Sequence, residues 1–90
     1  MDTIYLDIID LMQTQGVDPA IITPETHFSR DIGYDSLDMT ELLILLERRF
    51  NLAIPDREYD QLRTVGDVAH YLAKRLESSA AHQPLTYLLL

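Results

Sequence analysis

The apolar residues of this chain fall into three stretches spaced at three- and four-residue steps, and nowhere does the sequence alternate with period two for long enough to argue a strand. That pattern restricts the chain to an all-helical fold. From Thr3 to Gln15, Ile4, Ile8 and Leu11 interleave with Tyr5, Ile9 and Met12 as a broad helical stripe, and Gly16 supplies a stop. A second helix is predicted from Asp35 or Ser36, both good residues for capping a first turn, to about Phe50. Met39, Leu42, Leu43, Leu46 and Phe50 form its core face. Asp56 begins a brief helix through Asp60 or Gln61, and Leu62 points back to the core. A last helix starts at Thr64, where the spacing to Asp67 resembles a capping box with the shorter acid. Val65, Val68, Ala69, Leu72 and Leu76 mark its buried stripe.

With 90 residues there is room for one small core and no second domain. The predicted architecture is a small four-helix bundle, three main helices plus one short one, with a long first loop between Gly16 and Asp35. That loop holds Pro19, Pro24 and Gly33, and its apolar anchors are Val17, Ile21, Ile22, Phe28 and Ile32. Loops of this length are usually functional or flexible. Residues 1–77 read as the domain. Residues 78–90, ending Leu85, Thr86, Tyr87, Leu88, Leu89, Leu90, form an apolar tail with three open readings: a frayed end, a segment folded back on the bundle, or a short partner-binding stretch.

Charge narrows the function. Fifteen acids against seven Lys and Arg give a net charge of -8, which repels a phosphate backbone, so nucleic acid is not an expected partner. An acidic surface suits docking on basic patches of other proteins, and equally suits mere solubility. There is no cysteine, so any thiol chemistry must be imported. No apolar run approaches the ~20 residues of a membrane-spanning helix. The start of the chain lacks the charge pattern of a secretory signal, and a cytoplasmic, monomeric protein is expected.

A serine enzyme would need a base and an oxyanion site near its nucleophile. Ser36 has neither in view, and His27, His70 and His82 belong to no shared motif; His27 and His70 read as ordinary, partly exposed residues. Asp31, Asp35 and Asp38 lack the EF-hand spacing and its central glycine, so no metal site is expected. What Ser36 has is a place between a glycine-containing loop and a helix start, where free N–H groups and the helix dipole favour a phosphate. A helix-capping role is its commoner reading. Leu37, Thr40 and Ile44 share a second, mixed face with Glu41, Glu47 and Arg48; a small bundle does not need that face, although scattered exposed apolar residues are common.

Phe28, Asp31, Ile32, Gly33, then Asp35, Ser36, Leu37, Asp38, followed by Glu41, Leu42, Glu47, Phe50, Ile54, Pro55, Asp56, Thr64, Val65, Tyr71 and Leu72 resemble the acyl carrier protein family in its bacterial, type II form. The likeness runs from Thr3 to Leu76. It implies a free-standing carrier, not an enzyme, whose Ser36 receives 4′-phosphopantetheine from coenzyme A through a phosphopantetheinyl transferase that uses magnesium. The arm's thiol would hold acyl chains as thioesters for fatty acid, polyketide or specialised lipid synthesis. The resemblance also makes Asp35, Leu37, Asp38, Glu41, Ile44, Glu47 and Asp56 a docking set for acyl-transferring, condensing or acyl-activating enzymes with basic patches. Two alternatives stay open: an aminoacyl or peptidyl carrier, and an acidic helical adaptor without the arm.

Two departures from the family pattern stand out. Arg48 and Arg49 lie where many fatty acid carriers continue with acids, which suggests a specialised pathway. Tyr59 is bulkier than the small residue frequent at its place, and would narrow the space in which these proteins shelter acyl chains.

Overall fold

A computed structural model describes the backbone of residues 2–89 and the side chains of residues 3–77. Three long helices carry the fold: α1 (Asp2–Thr14), α3 (Ser36–Phe50) and α4 (Val65–Leu89). The expected all-helical bundle with a long first connection is what forms. Ile8, Leu11 and Met12 of α1, Leu42, Leu43 and Leu46 of α3, and Val65, Val68, Ala69 and Leu72 of α4 make one core, closed by Ile22, Phe28, Ile54 and Leu62 from the connections. Met39 and Phe50 are only half-buried, packed on the edge of that core. Leu6 stays exposed, because the apolar stripe of α1 turns its other flank inward.

The long first loop is more ordered than its composition suggests. Asp18 caps a 3-10 turn at Pro19–Ile21, its carboxylate accepting the Ala20 N–H at 2.9 Å. A five-residue helix, α2 (Phe28–Ile32), follows. His27 caps it, its Nδ1 accepting the N–H groups of Ser29 at 3.2 Å and Arg30 at 3.1 Å. This histidine therefore has a structural duty that its type did not announce. Gly33 ends α2 in the left-handed region at φ 73°, which lets the Tyr34 N–H turn back to the Phe28 carbonyl at 2.8 Å.

The loop is fastened to the start of α4 by backbone bonds. Phe28 N–H donates to the Arg63 carbonyl, Val65 N–H to Thr26, and Gly66 N–H to Pro24, at 3.0, 3.0 and 2.8 Å. Buried Thr26 accepts the Thr23 N–H on its own hydroxyl, and among the described residues no buried side-chain nitrogen or oxygen is left without a partner. The predicted box at Thr64 and Asp67 forms in both directions, each bond 3.0 Å. The brief helix expected from Asp56 is a 3-10 helix, Asp56–Gln61. The backbone of α4 runs on through the tail to Leu89. The three readings of the tail, residues 78–90, turn on side chains that lie outside the described residues.

Candidate functional site around Ser36

The site grows out of the join between the loop and α3. Either Asp35 or Ser36 was a competent cap by sequence, and Asp35 takes the duty. Its carboxylate accepts the Asp38 N–H at 2.9 Å, while the Asp38 carboxylate accepts the Asp35 N–H at 3.1 Å. Two acids thus close a reciprocal capping box on the first turn. The Asp38 backbone N–H, ahead of every other influence, holds the Asp35 carboxyl below the usual carboxylate range.

Ser36 is left as the first residue inside the helix, exposed. Among the described residues its hydroxyl has no hydrogen-bond partner; only its carbonyl is used, accepting from the Thr40 hydroxyl at 2.7 Å. The free first-turn donors invoked for a phosphate are partly taken up by Asp35. The fold therefore supplies an accessible hydroxyl at the rim of a helix and no phosphate cradle. A phosphodiester fits such a hydroxyl because it displaces no existing bond, and the flanking carboxylates favour an arm that extends into solvent.

Behind this turn lies a hydrogen-bonded link to α1 that the sequence reading did not find. The Tyr34 hydroxyl donates to Gln15 Oε1 at 2.5 Å, and Gln15 Nε2 donates to Glu41 Oε1 at 2.9 Å and to the Asp38 carbonyl at 3.2 Å. Burial first, then the charges of Asp38 and Glu41, push the Tyr34 hydroxyl up to about 12. The Tyr34 ring also tilts against Phe28, centroids 5.6 Å apart.

Along the exposed side of α3, Leu37, Asp38, Thr40, Glu41, Ile44, Leu45 and Arg48 line an open depression of about 480 Å³. Leu37 is 78% exposed and Ile44 40%, so the mixed face is a surface feature and not core. Other members of the expected set go elsewhere. Glu47 is half-buried, and its carboxylate accepts the Ile54 N–H at 2.6 Å, closing the connection after α3. Asp56 is exposed at the start of the 3-10 helix and does not line the depression. The two arginines separate. Arg49 reaches back to Asp7 and Asp10 of α1 at 2.9 and 3.2 Å. Arg48 stays on the depression with no ion pair among the described residues.

Among the described residues no cluster of His, Cys, Asp or Glu could hold a metal ion, and no helix is long and apolar enough to cross a membrane. Residues 7–72 match the family described as the phosphopantetheine attachment site. The chain belongs to the acyl carrier protein family. It is 48% identical to an acyl carrier protein of Syntrophobacter fumaroxidans over 68 residues, covering 74% of this chain and 84% of the relative. An acyl carrier protein of Helicobacter pylori is 48% identical over 57 residues, 63% of this chain and 73% of the other. One from Porphyromonas gingivalis is 38% identical over 78 residues, 86% of this chain and the whole of the relative. The family is one of carriers, not catalysts, and the cofactor is a covalent 4′-phosphopantetheine.

Proposed function

We propose that Ser36 bears the phosphopantetheine arm of this acyl carrier and that Asp35, Leu37, Asp38, Glu41 and Ile44 are the surface on which its enzymes dock. One observation carries the assignment of the serine: the capping duty at the start of α3 belongs to Asp35, leaving an exposed hydroxyl on Ser36 without a structural task. A phosphopantetheinyl transferase would direct that oxygen at the pantetheine-bearing phosphorus of coenzyme A. The new bond is serine O–P, the bond broken lies in the pyrophosphate link, adenosine 3′,5′-bisphosphate leaves, and the hydroxyl proton passes to a base of the transferase. The chain itself contributes exposure, position and charge.

Loaded with an acyl thioester, the arm raises the effective concentration of its cargo at each docked enzyme. Acids on the first two turns of α3 meet basic patches, and Leu37 with Ile44 adds apolar contact. Residues 1–77 act as the carrier domain in this reading, monomeric and cytoplasmic. Fatty acid, polyketide and specialised lipid synthesis all use such a carrier, and the exposed cation Arg48 on the docking face favours a specialised pathway.

Incubation with coenzyme A, magnesium and a broad-range transferase, followed by intact-mass measurement, tests the assignment. One phosphopantetheine should add to the wild type and none to Ser36→Ala. An adduct that survives the substitution moves the arm to another residue, and no adduct on either protein favours an adaptor.

A further inference from the structure

The link between Gln15, Tyr34 and Glu41 is a feature that a helical bundle does not require. Gln15 lies just beyond α1, 19 residues from Tyr34 and 26 from Glu41. All of its amide's roles are fixed: Oε1 accepts from the Tyr34 hydroxyl, and Nε2 donates to the Glu41 carboxylate and to the Asp38 carbonyl. Such an amide cannot flip without losing every partner. Both ends of the link meet the proposed docking surface. Glu41 is one of its acids, and Tyr34 stands two residues before Ser36, held in turn by its ring against Phe28 and its N–H on the Phe28 carbonyl.

We propose that Gln15 is a positioning residue for the carrier's encounters with its enzymes, holding the Glu41 carboxylate in its docking orientation and fixing the segment that leads to Ser36. This rests on the assignment of Ser36 and of the docking face above. A glutamate on an exposed helix face samples several rotamers, and freezing it in a complex costs free energy at that moment. Here much of the freezing is already done in the free carrier, by a donor that leaves the carboxylate's second oxygen available to a partner's cation. The charge on Glu41 is kept, because an amide donor orients it without neutralising it.

A double-mutant cycle on transferase kinetics tests the idea, with wild type, Gln15→Ala, Glu41→Ala and the double variant as apo substrates. Gln15→Ala should raise KM for the carrier roughly three- to tenfold, the factor expected for one rotamer-rich side chain that must be ordered on binding. Its kcat should stay within a factor of about two, since Gln15 touches no reacting atom. In the Glu41→Ala background the same substitution should add almost nothing. Tyr34→Phe, which keeps the ring and removes the donor, should give a smaller rise in KM in the same direction. Full, independent effects of Gln15→Ala and Glu41→Ala on KM would overturn the proposal, as would a wild-type KM for Gln15→Ala. A loss confined to kcat with lowered thermal stability would assign Gln15 to the fold alone and overturn it too. If wild type accepts no arm in this assay, the Ser36 assignment fails first, which separates the two failures.

Discussion

Exchanging Gly66 for alanine should destabilise this protein, against the ordinary effect of that substitution in a helix. Gly66 is the second residue of α4, and a Cβ there would lie 2.8 Å from the Pro24 carbonyl oxygen and 3.5 Å from its carbon. The same oxygen accepts the Gly66 N–H at 2.8 Å, so the backbones meet too closely for a methyl group. Alanine gains at most about 1 kcal/mol in helix propensity. Forcing the loop away costs about 1–3 kcal/mol as overpacking, and stretching the Pro24 bond adds about 1 kcal/mol. The clash wins by about 1–3 kcal/mol. At about 4–8 °C per kcal/mol for a domain of this size, Tm should fall by roughly 4–24 °C. Thermal unfolding followed by circular dichroism reads this directly, and urea unfolding with an unchanged m-value would show that the native state alone was affected. Gly33→Ala is the control: nothing lies within 4 Å of its would-be Cβ, but its φ of 73° strains any side chain, at a cost of about 1 kcal/mol. An equal or higher Tm for Gly66→Ala would refute the packing argument. Because the Pro24 contact anchors the loop that delivers Tyr34 and Ser36, the fold and the site share this fastening.

Three further expectations follow from the geometry. In an alkaline absorbance titration Tyr34 should ionise well after an ordinary tyrosine, at about 12; its folded value is raised, so its contribution to stability is whole below pH 10 and lost as pH climbs from 10 towards 12, and a Tyr34→Phe protein that keeps the late phase would contradict this. Asp35 has the opposite sign: its folded value is lowered, so the capping contribution is present above the ordinary aspartate range and lost as pH falls through the lowered value, a loss that Asp35→Asn should lack in acid unfolding curves. Arg48→Glu should lower KM by roughly two- to threefold for a transferase whose docking patch carries only cations, whereas Arg49→Glu, which faces Asp7 and Asp10, should reduce Tm and leave that KM nearly untouched; equal kinetic effects would mean that the two arginines are not divided as the distances indicate.

The long helices were legible because each buries a stripe of several turns, and periodicity reports that kind of burial well. Ile8, Leu11, Met12, Leu42, Leu43, Leu46, Val68 and Leu72 stand where the spacing puts them. The box at Thr64 and Asp67 was legible for a different reason: its chemistry is local, three residues apart. α2 was not, since five residues make little more than one turn and its cap is a histidine ring nitrogen, a less usual acceptor at that position. Nor could spacing reveal the bond that Glu47 makes. It shares a helix face with Glu41 and Ile44, but the Ile54 N–H seven residues on draws its carboxylate into the following connection. Gln15 left no local signal, because its partners are 19 and 26 residues away and become neighbours only when α1 packs beside α3.

If Ser36 bears the arm as proposed, one residue's shift in the capping position matters for function. Had Ser36 been the cap, its oxygen would have accepted a first-turn N–H, and esterifying it would have put the start of α3 at risk each time the arm was added or removed. With Asp35 as cap and Asp38 returning the bond, the helix start is complete before any modification. On the role proposed for Ser36, its hydroxyl can then change chemical state while the surface beside it keeps its shape. A carrier must present the same docking face to enzymes that differ in what they do to the cargo. An end of α3 tied by Asp35, Asp38 and Gln15, with Ser36 left outside those ties, meets that requirement in terms of individual bonds.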